Sequence, residues 1–339
     1  MVRLVSVRLM QTVIVAFIVS VIVFLLMHVA PGDPVNAIYG EQNVSAVQKA
    51  ALRHQLGLDL PLWRQYADFV LHALQGDLGN SIFRSASVGS LVRPALMATV
   101  ELTVASLVVA VAIGFPVAVI SALKQNSIYD RAGSALALFG ISMPSFWLGI
   151  ICILVFSVHL GILPTGGRLA TGLSVRDITG IDTLDAVLSG NWIALRSALE
   201  HLVLPAVTLG AAMSATLARV LRASLIEAKN QEFVEALRAR GMSEVAVVRH
   251  MLRNSLPPAV IMMGIKVGSL LGGAIVIEVV FSWPGLGRLI VTAISARDYP
   301  LIQGGVLVMA VLFVLVNLAT DLIHGVLDPR VRQGKKAGV

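Results

Sequence analysis

EFVEALRARGMSEVAVVRHMLRNSLPP, Glu232 to Pro258, is the most basic run in an otherwise apolar chain, and it lies between two membrane-length apolar segments. Phe233 to Arg240 holds no Gly or Pro and reads as one short helix. Gly241 can stop that helix in a left-handed conformation. Ser243 is placed to cap a second helix, which ends before the Pro257-Pro258 pair. Two short helices meeting at a glycine outside the bilayer make a rigid, protruding elbow. Its amphipathic faces suit docking into a groove on another protein. A basic amphipathic helix lying on the inner leaflet has the same pattern.

The 339 residues are 57% hydrophobic and 13% charged, with a mean hydropathy of +0.85. That composition places the chain in a membrane. The pI near 10.0 does not point to nucleic acid, because no aromatics interleave with the basic residues and no soluble domain carries a basic face. The one cysteine, Cys152, sits in an apolar segment and reads as a small buried residue, so no disulfide framework exists.

The N-terminal tail carries Arg3 and Arg8, and residues 9–32 follow without a formal charge, enough for a helix of ~20 residues to cross the hydrocarbon core. The run is longer than a signal-peptide core and no small-x-small cleavage site follows it, so it reads as a retained first span that stops at Ala30-Pro31-Gly32-Asp33-Pro34. Residues 33–96 are mixed and polar and form an external segment with amphipathic pieces at 44–57 and 62–74. In the latter, Trp63, Tyr66 and Phe69 fall at helical spacing, which predicts a helix lying against the membrane or the protein core. Gly76-Asp77-Leu78-Gly79-Asn80-Ser81 is a turn signal, with no lysine or P-loop pattern to make it a phosphate cradle. Further spans are predicted at 102–123, 134–158 (interrupted by Pro144), 201–218, 257–281 and 301–324, with a loop-rich external segment at 159–199. Gly264, Gly268 and Gly272 make a small-residue face for close helix packing.

Six spans put both termini on one side, together with the 124–131 and 219–253 loops. That side carries 15 Lys and Arg against six acids, and the other carries 10 against 12. Long external loops vote weakly, but setting aside residues 33–96 leaves 15 against five, so the elbow and both termini are expected in the cytoplasm.

No G-x-x-x-x-G-K-S/T, G-x-S-x-G, H-E-x-x-H or paired-cysteine motif occurs, which argues against a catalytic site, a metal or a cofactor of this chain's own. His28, His159, His201 and His324 are scattered near span ends and read as interfacial or packing residues. An ion-coupled secondary transporter is the alternative, and it would need intramembrane ionisable groups. The candidates are few: Lys266 in the fifth span, Glu278 at its outer end and Asp321 near the inner end of the sixth.

Glu235-Ala236-Leu237, three more residues and Gly241 resemble the EAA loop of bacterial ABC importer permeases. With Ala30–Pro34, Gly76–Gly79, Ser282-Trp283-Pro284-Gly285-Leu286-Gly287 and Asp328-Pro329-Arg330, the likeness runs the length of the chain and is closest to the first permease subunit of dipeptide/oligopeptide importers. Leu256-Pro257 follows the glycine a few residues later than in the general pattern of the loop. The resemblance implies an all-α membrane protein of the type I importer fold, with a transmembrane domain over 97–328, a coupling loop at 222–256 and a basic tail at 329–339. It also implies a homologous permease partner, two cytoplasmic ATPases and a periplasmic substrate-binding protein, with lipid as surroundings. The coupling residues would be Phe233, Glu235, Ala236, Arg238 and Gly241; the passage would be lined around Pro144, Ser145, Met213 and Lys266. Related permeases serve dipeptides, longer peptides, glutathione and nickel chelates.

Overall fold

The computed structural model describes residues 2–29, 45–55 and 59–327; the Ala30–Pro34 and Asp328–Arg330 motifs fall outside them. Among the described residues the chain is helical, with one isolated bridge, Asn80 to Ser87. In chain order the helices are α1 (Val2–Val29), α2 (Ala46–Gln55), α3 (Leu62–Leu74), α4 (Val88–Leu123), α5 (Ile128–Ser142) and α6 (Ser145–Cys152, continued by a π-helical turn, Ile153–His159). They continue as α7 (Asp182–Leu188), α8 (Trp192–Lys229), α9 (Glu232–Ala239), α10 (Glu244–Val280), α11 (Leu286–Ala296) and α12 (Tyr299–Leu327).

The centre of the fold is α8. Two-thirds of its apolar window (67%) is buried, against 28% for α4 and 22% for α12. Lipid is as apolar as a leucine side chain, so close helix packing in a membrane rests on small residues rather than on hydrophobic drive. The α4–α8 pairing follows that rule. A Cβ on Gly210 would lie 2.8 Å from the Ser106 carbonyl, and one on Gly114 would lie 2.6 Å from that of Ser214. Leu102, Ala110, Ala118, Leu209, Met213 and Leu217 fill the space between. Gly264 of α10 works likewise against α12, where an added Cβ would collide with Thr320; Gly268 faces Asn317 at 3.1 Å, but nothing lies within 4 Å of a Cβ at Gly272.

Several elements differ from the sequence reading. Among the described residues three helices, α4, α8 and α12, are long and apolar enough to cross a membrane, or four if α5 and α6 count as one broken span. That break is a 104° bend rather than a kink. Met143 is extended (φ −86°, ψ 127°) because the ring of Pro144 excludes the helical conformation from the residue before it. Conversely, Pro257 and Pro258 do not end a helix: α10 runs 37 residues through both. Neighbouring helices tolerate the two missing donors, and the Ser255 hydroxyl is bonded to the Ser224 carbonyl of α8 at 3.0 Å. The elbow is therefore a short helix joined to a long one. α8 also begins at Trp192, inside the stretch expected to be loop, and α11 is a helix the sequence reading did not foresee.

Candidate functional site

Two polar clusters mark opposite ends of the bundle. At one end Asp130, 4% exposed, accepts two bonds from Arg222, at 2.6 Å (Nε) and 2.8 Å (Nη2), and one from the Asn126 amide at 2.9 Å. Ser127 caps α5 beside it. This clamp ties the 124–131 turn to the end of α8 next to the elbow.

The elbow is built by a helix stop of the Schellman type. The Gly241 amide donates to the Arg238 carbonyl at 2.9 Å and the Met242 amide to that of Leu237 at 3.2 Å. This geometry requires a left-handed residue, and Gly241 supplies it with φ +75°. The Ser243 hydroxyl then accepts from the Ala246 amide at 3.4 Å to open α10. Across the turn Arg238 grips Glu244 with both Nε (2.9 Å) and Nη2 (3.1 Å). Both partners are exposed, so the pair adds little stability, and the angle of the turn rests on the Schellman bonds and the buried Val234.

The faces of α9 divide cleanly. Val234 is fully buried, and Phe233, Leu237 and Met242 pack against the same core as Val247 and Met251. Glu235, Ala236, Arg238 and Gly241 are exposed. Four of the five residues singled out for coupling thus share the outward side, whereas Phe233 is half-buried and contributes to the inward anchoring.

Neither cavity at the break between α5 and α6 is lined by the residues singled out for a passage. Pro144 is exposed, Ser145 and Lys266 are half-buried, and Met213 is buried in the core. The bend between α5 and α6 instead opens a cavity of about 280 Å³ against α4 and α8, lined by Gly114, Phe139, Gly140, Met143, Ala211 and Ser214. A recess of about 250 Å³ shares Val117, Gly133, Ala137 and Ala218 with it and carries Arg219 and Arg222.

At the far end, Glu101 of α4 is 5% exposed and accepts from Arg168 Nη2 at 2.6 Å, the Thr183 amide at 2.9 Å and the Thr183 hydroxyl at 2.7 Å. Arg168 Nε lies 3.1 Å from Asp182 without forming a hydrogen bond, and its guanidinium sits 5.7 Å over the Trp283 ring. Burial pushes the Asp182 carboxyl up against the pull of Arg168. Burial also acts on Asp185, but the Thr179 hydroxyl and the amides of residues 178–180 outweigh it and hold that carboxyl below its usual range. The Trp283 indole donates to the Ala98 carbonyl at 2.9 Å. Glu278 is fully buried and accepts from the Thr99 hydroxyl at 2.6 Å and the Arg288 amide at 2.9 Å. A Cβ on Gly285 would collide with the Glu278 carboxylate, so a side chain there would displace this buried anchor. Sequence alone assigns Glu101, Asp182 and Asp185 no role and offers Glu278 as an ionisable candidate at the outer end of the fifth span; the structure makes Glu101, Asp185 and Glu278 hydrogen-bonded anchors. His201 is a buried packing residue, its Nδ1 2.7 Å from the Ser197 carbonyl. The side chains of His28, Asp321 and His324 lie outside the described residues.

Residues 114–333 match the model of the binding-protein-dependent transport system inner membrane component, and residues 1–111 match that of its N-terminal region. The chain belongs to this family. The permease is 40% identical over 333 residues to the dipeptide transport system permease protein DppB of Escherichia coli, covering 97% of this chain and 98% of that one. It is 40% identical over 317 residues to the di/tripeptide transport system permease protein DppB of Pseudomonas aeruginosa, with 93% and 94% covered. It is also 40% identical over 326 residues to the glutathione transport system permease protein GsiC of Escherichia coli, with 96% and 97% covered. It is thus a multi-pass inner membrane protein and a permease subunit of an ABC importer.

Proposed function

We propose that this permease carries di- or oligopeptides, or a related small solute such as glutathione or a nickel chelate, across the inner membrane, moved by ATPase subunits that grip its elbow. The observation that carries this reading is the division of α9. One side is locked into the core through Val234, and Glu235, Ala236, Arg238 and Gly241 are presented outward on a turn of fixed angle. A helix held this way transmits a push to α8 and α10 instead of yielding to it. In this reading the chain crosses the membrane six times, with both termini and the elbow in the cytoplasm, and the transmembrane domain spans 97–328. A homologous permease, two ATPases and a periplasmic binding protein complete the machine.

The passage is assigned to the faces of α5, α6, α8 and α10 around the break at Pro144, with Ser145, Met213 and Lys266 exposed to solute only in other conformations. The buried carboxylates support this reading over an ion-coupled carrier. Glu101, Asp130, Asp185 and Glu278 are each held by fixed donors, as a structural anchor is. The test is reconstitution. Uptake of peptide by the assembled importer in liposomes should need ATP and the binding protein. Uptake by the permease alone under a proton gradient would overturn the proposal.

A further inference from the structure

α3 has three lengthwise faces. Tyr66 and Phe69 turn to α1: the Tyr66 hydroxyl lies 2.8 Å from Ser20 Oγ, and Phe24 meets the Tyr66 ring at 5.4 Å and the Phe69 ring at 6.3 Å. Arg64, Asp68, His72 and Gln75 recur at i, i+4, i+8 and i+11 and are exposed. Between these faces runs an apolar stripe on which Trp63, Leu71 and Leu74 are 71%, 56% and 80% exposed. α1, on which α3 rests, also presents apolar surface, with Val13, Ile18 and Ile22 exposed.

Depth decides what covers the stripe. α3 rests on Phe17–Phe24 of α1, the middle of the charge-free run at 9–32. If that whole run spanned the bilayer, Arg64, Asp68 and His72 would sit in mid-hydrocarbon, at a cost of several kcal/mol. The conflict disappears if the span begins nearer the N-terminus. From Arg3 to Phe24 is 21 helical steps, ~32 Å at 1.5 Å per residue, which matches a hydrocarbon core of ~30 Å; Arg8 then lies ~8 Å inside the boundary by the same rise, a depth from which a long basic side chain snorkels to the surface. Phe24 then marks the membrane surface on the side away from the elbow. That side is where α3 belongs, because the turn after it is tied through Ser81 to Asp298, which follows α11, and Leu78 of that turn packs with Val88 and Leu286 beside the Thr99–Glu278 bond of the far end. A helix in the plane of the interface, apolar stripe inward and polar stripe outward, satisfies both residue sets.

We infer that α3 is an interfacial helix whose Trp63–Leu74 stripe lies against lipid acyl chains of the leaflet remote from the elbow, and that its seat on Ser20 sets the depth of α1 in the bilayer. The test uses the full chain in phosphatidylethanolamine/phosphatidylglycerol liposomes, with Cys152→Ala removing the native thiol. Leu74→Cys, Leu71→Cys and Asp68→Cys are each labelled with bimane and quenched by iodide or by lipid bearing a nitroxide at acyl carbon 5 or 12. Val108→Cys, 62% exposed on α4, calibrates the lipid signal and reports insertion. The labels at 71 and 74 should be quenched at least threefold more by the carbon-5 lipid than by iodide, and the label at 68 the reverse. Iodide quenching at 71 and 74 equal to that at 68 would overturn the inference by showing a water-exposed face. Quenching there by neither agent would overturn it in favour of a protein neighbour, and stronger quenching from carbon 12 would overturn the assigned depth.

Discussion

Replacing Gly241 isolates the turn of the elbow from everything around it. At φ +75° the backbone is left-handed, and nothing lies within 4 Å of where a Cβ would be. A side chain here therefore meets no steric wall, and the penalty is conformational alone: ~1–2 kcal/mol for an ordinary L-residue, more for a β-branched one, and least for Asn, which tolerates this region. One to two kcal/mol is a factor of about 5–30 in the population of the correct turn. If α9 transmits force only when the Schellman bonds and the buried Val234 hold its angle, ATP-driven uptake should fall in the order Gly, Asn, Ala, Val. Gly241→Asn should keep most of the activity and Gly241→Val should lose it, while the mutant chain still inserts and assembles. The assay is initial uptake rate in proteoliposomes, normalised to assembled complex. Wild-type uptake by Gly241→Val would refute the reasoning. So would Gly241→Asn being as inactive as Gly241→Val, since bulk on a docking surface, not the turn, would then be limiting.

Other perturbations follow from the same geometry. Glu278→Ala leaves the Thr99 hydroxyl and the Arg288 amide without their shared acceptor inside the protein, which should cost ~2–5 kcal/mol and lower the unfolding temperature in detergent. Gly264→Ala should destabilise by ~1–3 kcal/mol through collision with Thr320, whereas Gly272→Ala, with free space around it, should not; thermal unfolding separates the two. Lys266→Leu is expected to insert normally but to change uptake kinetics, and unchanged kinetics would remove the residue from the passage. The Asp185 carboxyl is depressed in the folded state, so the stability it gives the 178–180 turn is present above its unfolded value of about 3.8 and is lost as pH falls through the lower folded value. The amide protection factors at residues 178–180, taken relative to the intrinsic exchange rate at each pH, should fall on acidification, and Asp185→Asn should abolish that dependence.

The elbow was readable because its signals are local: a helix-forming run, a glycine, a serine cap, each acting within a turn of itself. α3 and the turn at Gly76–Ser81 were readable for the same reason. What the residues could not announce was set by partners distant in sequence. Pro257 and Pro258 look like a stop, yet the helix runs through both, packed along α8, where the Ser255 hydroxyl reaches the Ser224 carbonyl. Glu101 and Glu278 look like the edges of spans until residues 67 and 10 positions away bind them. Pro144 signalled an interruption, but the size of the bend depends on what α5 and α6 each pack against. Met213 is named for the passage only through the family resemblance, and its burial against α4 is set by packing across helices that its own neighbours do not encode.

One further property follows from α8 being a single helix of 38 residues, ~57 Å from end to end. One end is held by Asp130, the other lies against the segment bound by Glu101, and Pro205 interrupts its hydrogen-bond ladder about a third of the way along; in the proposed function it would act as a lever pivoting near its middle. A tilt of about 5° would carry each tip roughly 2.5 Å in opposite directions, by the same helical rise. If the helix tilts as one piece in the working importer, an opening at one of its ends is coupled to a closing at the other.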